Sequence, residues 1–182
     1  MDFRMIVIVM AFVLTNIDGF SCLAAEAAVS SPARWRRASA EASVAFAFLV
    51  IACLIASFAV DTISAGNVAW LGIVPAAIGL GKVITAFGKQ TANARSASIA
   101  AIVFATGMDN VAMYVPLFAL LGALRASGVG LVYALVFGVL ATAIMFVAPD
   151  VAHLARYRRF VDVALGVFFI TVGVEIIRHG LS

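Results

Sequence analysis

The sequence is poor in charge. Only 12% of its 182 residues are charged, whereas 65% are hydrophobic, and the mean hydropathy is +1.15. Soluble domains are about 25% charged and about 45–50% apolar, so lipid rather than water is the expected solvent. The formal net charge of +3 is too small to indicate nucleic-acid binding. We therefore expect a single transmembrane domain over residues 1–182, embedded in the lipid bilayer.

Residues that build enzyme sites are also scarce. The two cysteines, Cys22 and Cys53, lie in apolar runs and form neither a CxxC motif nor a disulfide framework. The two histidines, His153 and His179, fall in a predicted connection and at the tail. No HExxH motif, nucleophile elbow or Walker loop is present. The sequence thus predicts neither an enzyme nor a bound cofactor.

What the chain has in abundance is long apolar stretches. A helix needs about 20 apolar residues to cross a bilayer. Six stretches qualify: 5–27, 42–60, 68–87, 97–122, 129–148 and 160–177. The first also has features of a signal peptide, but Asn16 and Asp18 interrupt it and basic residues follow it, which favours a retained helix. The predicted fold class is an all-α membrane protein with six transmembrane helices.

The basic residues predict the orientation. The odd-numbered connections carry eight of them, against only Arg4, Arg125 and Arg178 on the other side. Because short cytoplasmic loops are enriched in Lys and Arg, the odd connections should be cytoplasmic. We expect a multi-pass protein of the plasma membrane (the bacterial inner membrane) with both termini outside.

The two halves of the chain echo each other. Residues 15–18 (TNID) recur, 91 residues later, as 106–109 (TGMD). A second echo, at an offset of 94 residues, joins glycines of the third and sixth spans: Gly72 and Gly79 with Gly166 and Gly173. These echoes predict two inverted three-helix repeats, about 1–92 and about 93–182, a design typical of secondary transporters with a central site.

Two acids lie deep in this apolar sequence, Asp18 in the first span and Asp109 in the fourth. A charge at that depth costs about 2.5–3.5 kcal/mol on insertion scales, so each acid needs a partner, a cavity or a proton. Two carboxylates brought together would favour a divalent cation or protons. Exchange of one for the other is a mechanism of cation export. Lys82 and Glu175 are predicted to lie near span ends and to reach the membrane surface.

Several neighbours of the acids are candidate ligands for the cation. The hydroxyls of Thr15 and Thr106 lie three residues before the acids, although they can instead bond their own helix backbone. Asn16 and Asn110 would point elsewhere on a regular helix, unless Gly19 and Gly107 permit a local break. Pro116 either releases a backbone carbonyl as a ligand or simply kinks its helix.

Sulfur atoms follow both acids at one helical turn. Cys22 is four residues after Asp18, and Met113 is four residues after Asp109. Sulfur with carboxylate suits a soft ion such as cadmium. The alternative is that both residues only fill space between helices.

Three segments carry a family resemblance. TNID at 15–18, LGIVPAAIGLGKVI at 71–84 and TGMDNVAMYVPLF at 106–118 resemble the cadmium resistance transporter family, the CadD-like branch of the LysE superfamily. The resemblance implies a heavy-metal efflux permease with Asp109, Asn110 and Pro116 as working residues and Asn16 and Asp18 as their counterparts. The family usually has a second acid directly after the first-span aspartate, where this chain has Gly19.

The prediction is therefore a secondary transporter that exports divalent metal ions, with cadmium as the first candidate and proton antiport as the coupling. Two alternatives stay open: an exporter of amino acids or other small cations, and a membrane scaffold without a substrate. Abundant Ala and Gly allow close helix packing and a homo-oligomer, without identifying a dimer face.

Overall fold

The computed structural model describes residues 3–29, 31–63, 71–87, 103, 107–151 and 158–180. These residues form six helices and no strand: α1 (Phe3–Val29), α2 (Pro32–Ile63), α3 (Ile73–Ala86), α4 (Met108–Leu121), α5 (Ala123–Val151) and α6 (Arg158–Gly180). The predicted all-helical fold class is thus confirmed for the described part of the chain.

Three of the helices are long and apolar enough to cross a membrane. Their apolar segments are Ile6–Ala27 in α1, Arg34–Val60 in α2 and Ala123–Ile144 in α5. Shorter apolar helical segments, Ile73–Ile84 and Met108–Leu121, lie in α3 and α4. Large apolar side chains such as Phe48 and Val139 face outward from the bundle. An outer surface of this kind suits a lipid solvent.

Two helices begin earlier than the sequence predicts. The expected connection before the second span is helical from Pro32 onward, since proline fits the first turn of a helix, where no N–H is needed. Likewise, the predicted connection at 125–128 is wrong, because these residues lie inside α5. Gly122 alone links α4 to α5, with a φ of +72° that glycine adopts without strain. This one-residue link leaves little freedom between α4 and α5.

An aromatic core holds four of the helices together. Helices α1, α2, α4 and α5 pack against one another, with contacts between every pair. The rings of Phe46 and Phe137 stack at 4.0 Å between centroids, and Phe12 and Tyr133 pack beside them. Tyr114 of α4 closes this cluster against Phe46 and Tyr133. The core therefore positions α1 and α4, the two helices that carry the aspartates.

Helices α3 and α6 contact each other through glycine. The contacts are between Gly72, which directly precedes α3, and Gly173, and between Gly79 and Gly166; they are here called the glycine pairs. A Cβ added at Gly79 would lie 2.5 Å from the Gly166 carbonyl oxygen, so the two backbones touch. Gly72 lies just before the start of α3, whereas Gly173 lies toward the end of α6. The two helices therefore run antiparallel. Helix α3 also contacts α4, which brings it to the aspartates.

Candidate functional site

Asp18 and Asp109 share one ammonium group. The Nζ atom of Lys82, on α3, lies 2.5 Å from Oδ2 of Asp109 and 3.5 Å from Oδ2 of Asp18. The three side chains come from α3, α4 and α1, and each is only 17–22% exposed. Two deep acids thus meet at one point between three helices. The cluster of Asp18, Lys82 and Asp109 is here called the charged triad.

The triad corrects the prediction for Lys82, which was expected to reach the membrane surface. Its ammonium instead turns toward the two carboxylates, because a buried acid without a counter-charge costs more than a lysine kept from water. One signal in the sequence pointed to this pairing. Lys82 is the only basic residue within the six predicted spans, and two deep acids each needed a partner.

The helices hold the two aspartates differently. Asp109 lies in the first turn of α4, where the unpaired backbone N–H groups favour a negative charge. Asp18 lies within α1, which continues without interruption through Gly19. The local break that Gly19 could have permitted is therefore absent from α1. Gly107 directly precedes α4, but the residues at 104–106 before it lie outside the described part of the chain.

The two asparagines meet across the bundle without any break in α1. Asn110 Nδ2 donates to Asn16 Oδ1 at 3.3 Å. Asn16 Nδ2 donates to the Tyr114 hydroxyl at 2.8 Å and to the Phe12 carbonyl at 2.7 Å. On a regular helix both asparagines were expected to point away from the aspartates. They do so, but their side chains point toward each other. Their side chains form a second, buried polar layer beside the charged triad.

Thr15 belongs to this layer rather than to the triad. Its hydroxyl donates to the Ala11 carbonyl at 2.7 Å, the backbone bond that sequence reasoning offered as the alternative to ligation. The Tyr114 hydroxyl lies 3.1 Å from the Thr15 oxygen and donates to it, since the Thr15 proton is already used. Tyr114 is therefore a polar partner that sequence reasoning missed, although it lies in the family-like segment. Thr106 lies outside the described residues.

One buried oxygen of the asparagine layer has no partner among the described residues. Asn110 is 3% exposed, and its Oδ1 atom accepts no hydrogen bond from the described residues. A buried polar atom left in this state costs about 1–3 kcal/mol. Asn110 directly follows Asp109 in the chain. A cation coordinated beside Asp109 would remove that cost, because an amide oxygen is a good ligand for metal ions.

The sulfur atoms and Pro116 lie elsewhere. Met113 is fully buried within the aromatic core, and Cys22 is exposed. Among the described residues, no three His, Cys, Asp or Glu side chains come close enough to hold a metal ion. Cys22 thus does not join the two aspartates as a third ligand. Pro116 is buried inside α4, where it interrupts one helical hydrogen bond.

The triad and the asparagine layer contain the kinds of oxygen donor that cations prefer. Two carboxylates offer the charge to balance a divalent ion, and the free amide oxygen adds a neutral ligand. The donor set is all oxygen. Comparison with known protein families, with curated proteins and with solved structures gives no match for this chain. The functional conclusion accordingly depends on the site itself.

Proposed function

We propose that this chain is a secondary transporter that exports a divalent metal cation across the plasma membrane, with protons entering in exchange and cadmium as the first candidate. The observation that carries the proposal is the charged triad: two carboxylates from separate helices share one cation inside an apolar bundle. Such groups are rare at this depth and belong mostly to ion pathways. The cadmium assignment comes from the family resemblance.

The proposed architecture is six transmembrane helices in two inverted three-helix repeats, with both termini outside. A two-fold axis relating residue n to residue n + 94 would exchange the two glycine pairs of α3 and α6. The same axis would relate Asn16 to Asn110, and these residues bond each other. Both contacts support the proposal with an offset of 94 residues, whereas Asp18 and Asp109 lie 91 residues apart and are not exchanged by this axis. The site then lies where the repeats meet, as in many secondary transporters.

In the proposed mechanism, Lys82 occupies the site when the metal is absent. Its ammonium takes the Oδ2 atoms of Asp18 and Asp109 that a metal ion would need. The metal therefore has to displace the ammonium. Two carboxylates then balance the divalent charge, and Asn110 Oδ1 supplies a third oxygen. On release, Lys82 returns to the carboxylates, so the empty transporter does not leave two unpaired acids in the membrane.

Metal uptake into inverted membrane vesicles tests the proposal. Labelled cadmium and labelled manganese are offered under an imposed proton gradient, because an all-oxygen site also suits manganese. We expect gradient-driven uptake by the intact protein and its loss in Asp109→Asn. Glu41→Gln is the control, since it neutralises a partly exposed acid of α2 that pairs with Arg37 and not with the triad. If neither metal accumulates, or if Asp109→Asn transports normally, the proposed site is wrong.

Replacing Lys82 by methionine tests its role as a competitor. Removing the ammonium leaves two unbalanced carboxylates, so we expect divalent ions to bind at least about tenfold more tightly. The measurement is the rise in thermal stability of the purified protein with metal concentration, which reports binding to the folded state. Slower release should also reduce transport, since tighter binding mainly lowers the dissociation rate. An unchanged or weaker affinity would contradict displacement.

Lys82 also favours a second candidate, an exporter of amino acids. Such a substrate needs a cationic group for its carboxylate, and Lys82 supplies one beside two acids that could hold its ammonium. The same Lys82→Met variant separates the candidates. It should abolish uptake of a labelled amino acid, whereas it should tighten metal binding. If neither class of substrate binds, the triad only holds α1, α3 and α4 together, as a scaffold would require.

A further inference from the structure

A cavity lies between the first turns of α2 and the last turns of α5. Its volume is about 330 Å³, and it is lined by Trp35, Arg36, Ser39, Ala40, Ser43, Thr142 and Phe146. Residues 35–43 and 142–146 occupy the same end of two apolar helices that are long enough to cross a membrane. With α2 and α5 crossing the bilayer as proposed, the cavity opens at the depth of the lipid headgroups.

The hydroxyl protons in the cavity wall are already used. Thr142 donates to the Gly138 carbonyl at 2.8 Å, so the 3.0 Å bond between Ser39 and Thr142 has Ser39 as its donor. Ser43 donates to the Ser39 carbonyl at 2.7 Å. The bond between Ser39 and Thr142 thus joins α2 to α5, and none of the three side chains has a hydroxyl proton left for a ligand.

Two donors in the wall are not used. The indole nitrogen Nε1 of Trp35 is buried and has no hydrogen-bond partner among the described residues. An indole N–H can only donate, so the missing partner is an acceptor. Arg36 is exposed and forms no ion pair in the described part of the chain, whereas its neighbour Arg37 pairs with Glu41 at 2.8 Å. Within the described residues, the cavity wall therefore includes a guanidinium without a carboxylate partner and an indole whose buried N–H lacks an acceptor.

We propose that this cavity binds the phosphodiester of an anionic phospholipid. Phosphate oxygens can accept hydrogen bonds from both the indole N–H and the guanidinium. The two parallel N–H groups of a guanidinium match the spacing of two phosphate oxygens. Arg34, Arg36 and Arg37 outnumber the two acids of these helix ends, Glu41 and Asp150, and this surplus disfavours the ammonium of a zwitterionic headgroup. The exposed ring of Phe146 extends the cavity wall with an apolar surface for the glycerol and upper acyl chain. Tryptophan and arginine are common anchors at this depth.

The test uses the purified full-length chain in neutral detergent, titrated with phosphatidylglycerol, phosphatidylcholine or inorganic phosphate. Bound lipid is counted by native mass spectrometry, and the unfolding temperature is recorded in parallel. Three variants are compared. Trp35→Phe removes the N–H but keeps a packing ring, Arg36→Gln removes the charge from the cavity wall, and Arg34→Gln removes a charge from the same segment outside the wall.

We expect phosphatidylglycerol to bind and to raise the unfolding temperature, with roughly tenfold weaker binding in Arg36→Gln and a smaller loss in Trp35→Phe. Arg34→Gln should bind like the unaltered chain. Equal losses in Arg34→Gln and Arg36→Gln would overturn the proposal, because binding would then depend only on general surface charge. Equal binding of phosphatidylcholine would also overturn it, as would equal stabilisation by inorganic phosphate. Since Arg36 is exposed, its variant tests the site even if Trp35→Phe fails to fold.

Discussion

Replacing Gly79 by alanine tests whether the contact between α3 and α6 determines the position of Lys82. The added Cβ would lie 2.5 Å from the Gly166 carbonyl oxygen, 2.8 Å from Phe169 Cβ and 2.9 Å from Ile170 N. Two of these three atoms belong to the backbone of α6, which cannot rotate away as a side-chain end could. Relief therefore requires the two helices to separate.

The size of the separation follows from these distances. Because non-bonded heavy atoms settle about 3.5–4.0 Å apart, α3 has to withdraw by roughly 1 Å, which forfeits about a quarter to a half of the dispersion energy along the contact. Overpacking of this kind typically costs about 1–3 kcal/mol. Lys82 follows Gly79 by one helical turn, so it moves with the helix. The Lys82–Asp109 contact, now 2.5 Å, should lengthen beyond hydrogen-bond range.

The assay is thermal unfolding of the purified protein with and without metal. For a chain of this size each kcal/mol corresponds to a shift of about 2–4 °C. Gly81→Ala is the matched control, since it lies on the same helix and an added Cβ would meet nothing within 4 Å. We expect Gly79→Ala to unfold at lower temperature and to bind divalent ions more tightly, because a displaced ammonium competes less. Gly81→Ala should show neither effect.

A double variant extends the test to both sides of the contact. Gly166→Ala places its Cβ 2.7 Å from the Gly79 carbonyl, so one separation of the helices relieves both overlaps. The combined loss of stability should then be smaller than the sum of the single losses. If Gly79→Ala and Gly81→Ala unfold at the same temperature, the glycine pairs are not in close contact. The link from this contact to Lys82 would then be refuted.

Two further predictions concern the buried polar layer and the aromatic core. Tyr114→Phe should cost about 1–3 kcal/mol in unfolding free energy, because an Asn16 N–H loses its buried acceptor. Tyr133→Phe should cost less, since its hydroxyl donates to a helix carbonyl, and equal losses in chemical denaturation would contradict the hydrogen-bond chain. Phe46→Ala should destabilise by roughly 3 kcal/mol, because Phe46 is fully buried. Phe48→Ala, two residues away and 62% exposed, should change thermal unfolding little.

Helix boundaries were only partly predictable from the sequence. The apolar runs predicted the helices themselves, but basic residues after Pro32 were assigned to a connection. Charge at the end of a span indicates where the membrane surface lies, and it does not end a helix. The same reason explains why Arg125 lies inside α5. A helix continues into water wherever its backbone bonds remain satisfied.

The candidate site was predictable in its residue types and not in its pairing. Depth in an apolar segment identified Asp18 and Asp109, because an isolated charge there is costly. The same rule could have assigned Lys82 to them. However, a lysine near a span end can also place its ammonium at the membrane surface at similarly low cost in free energy. Which alternative holds depends on whether α3 lies against α4. That contact joins residues far apart in the chain.

The amino-acid sequence by itself determined an all-helical chain with apolar segments, two deep acids and glycines at repeated spacing, because each of these follows from composition and local periodicity. The tertiary structure decided what each of them contacts. Glycines that had suggested a repeat became backbone contacts between α3 and α6. The two asparagines bonded to each other, and Tyr114 accepted a hydrogen bond from Asn16. Lys82 became the partner of both aspartates. These outcomes depend on distances between separate helices, and no local pattern encodes such distances.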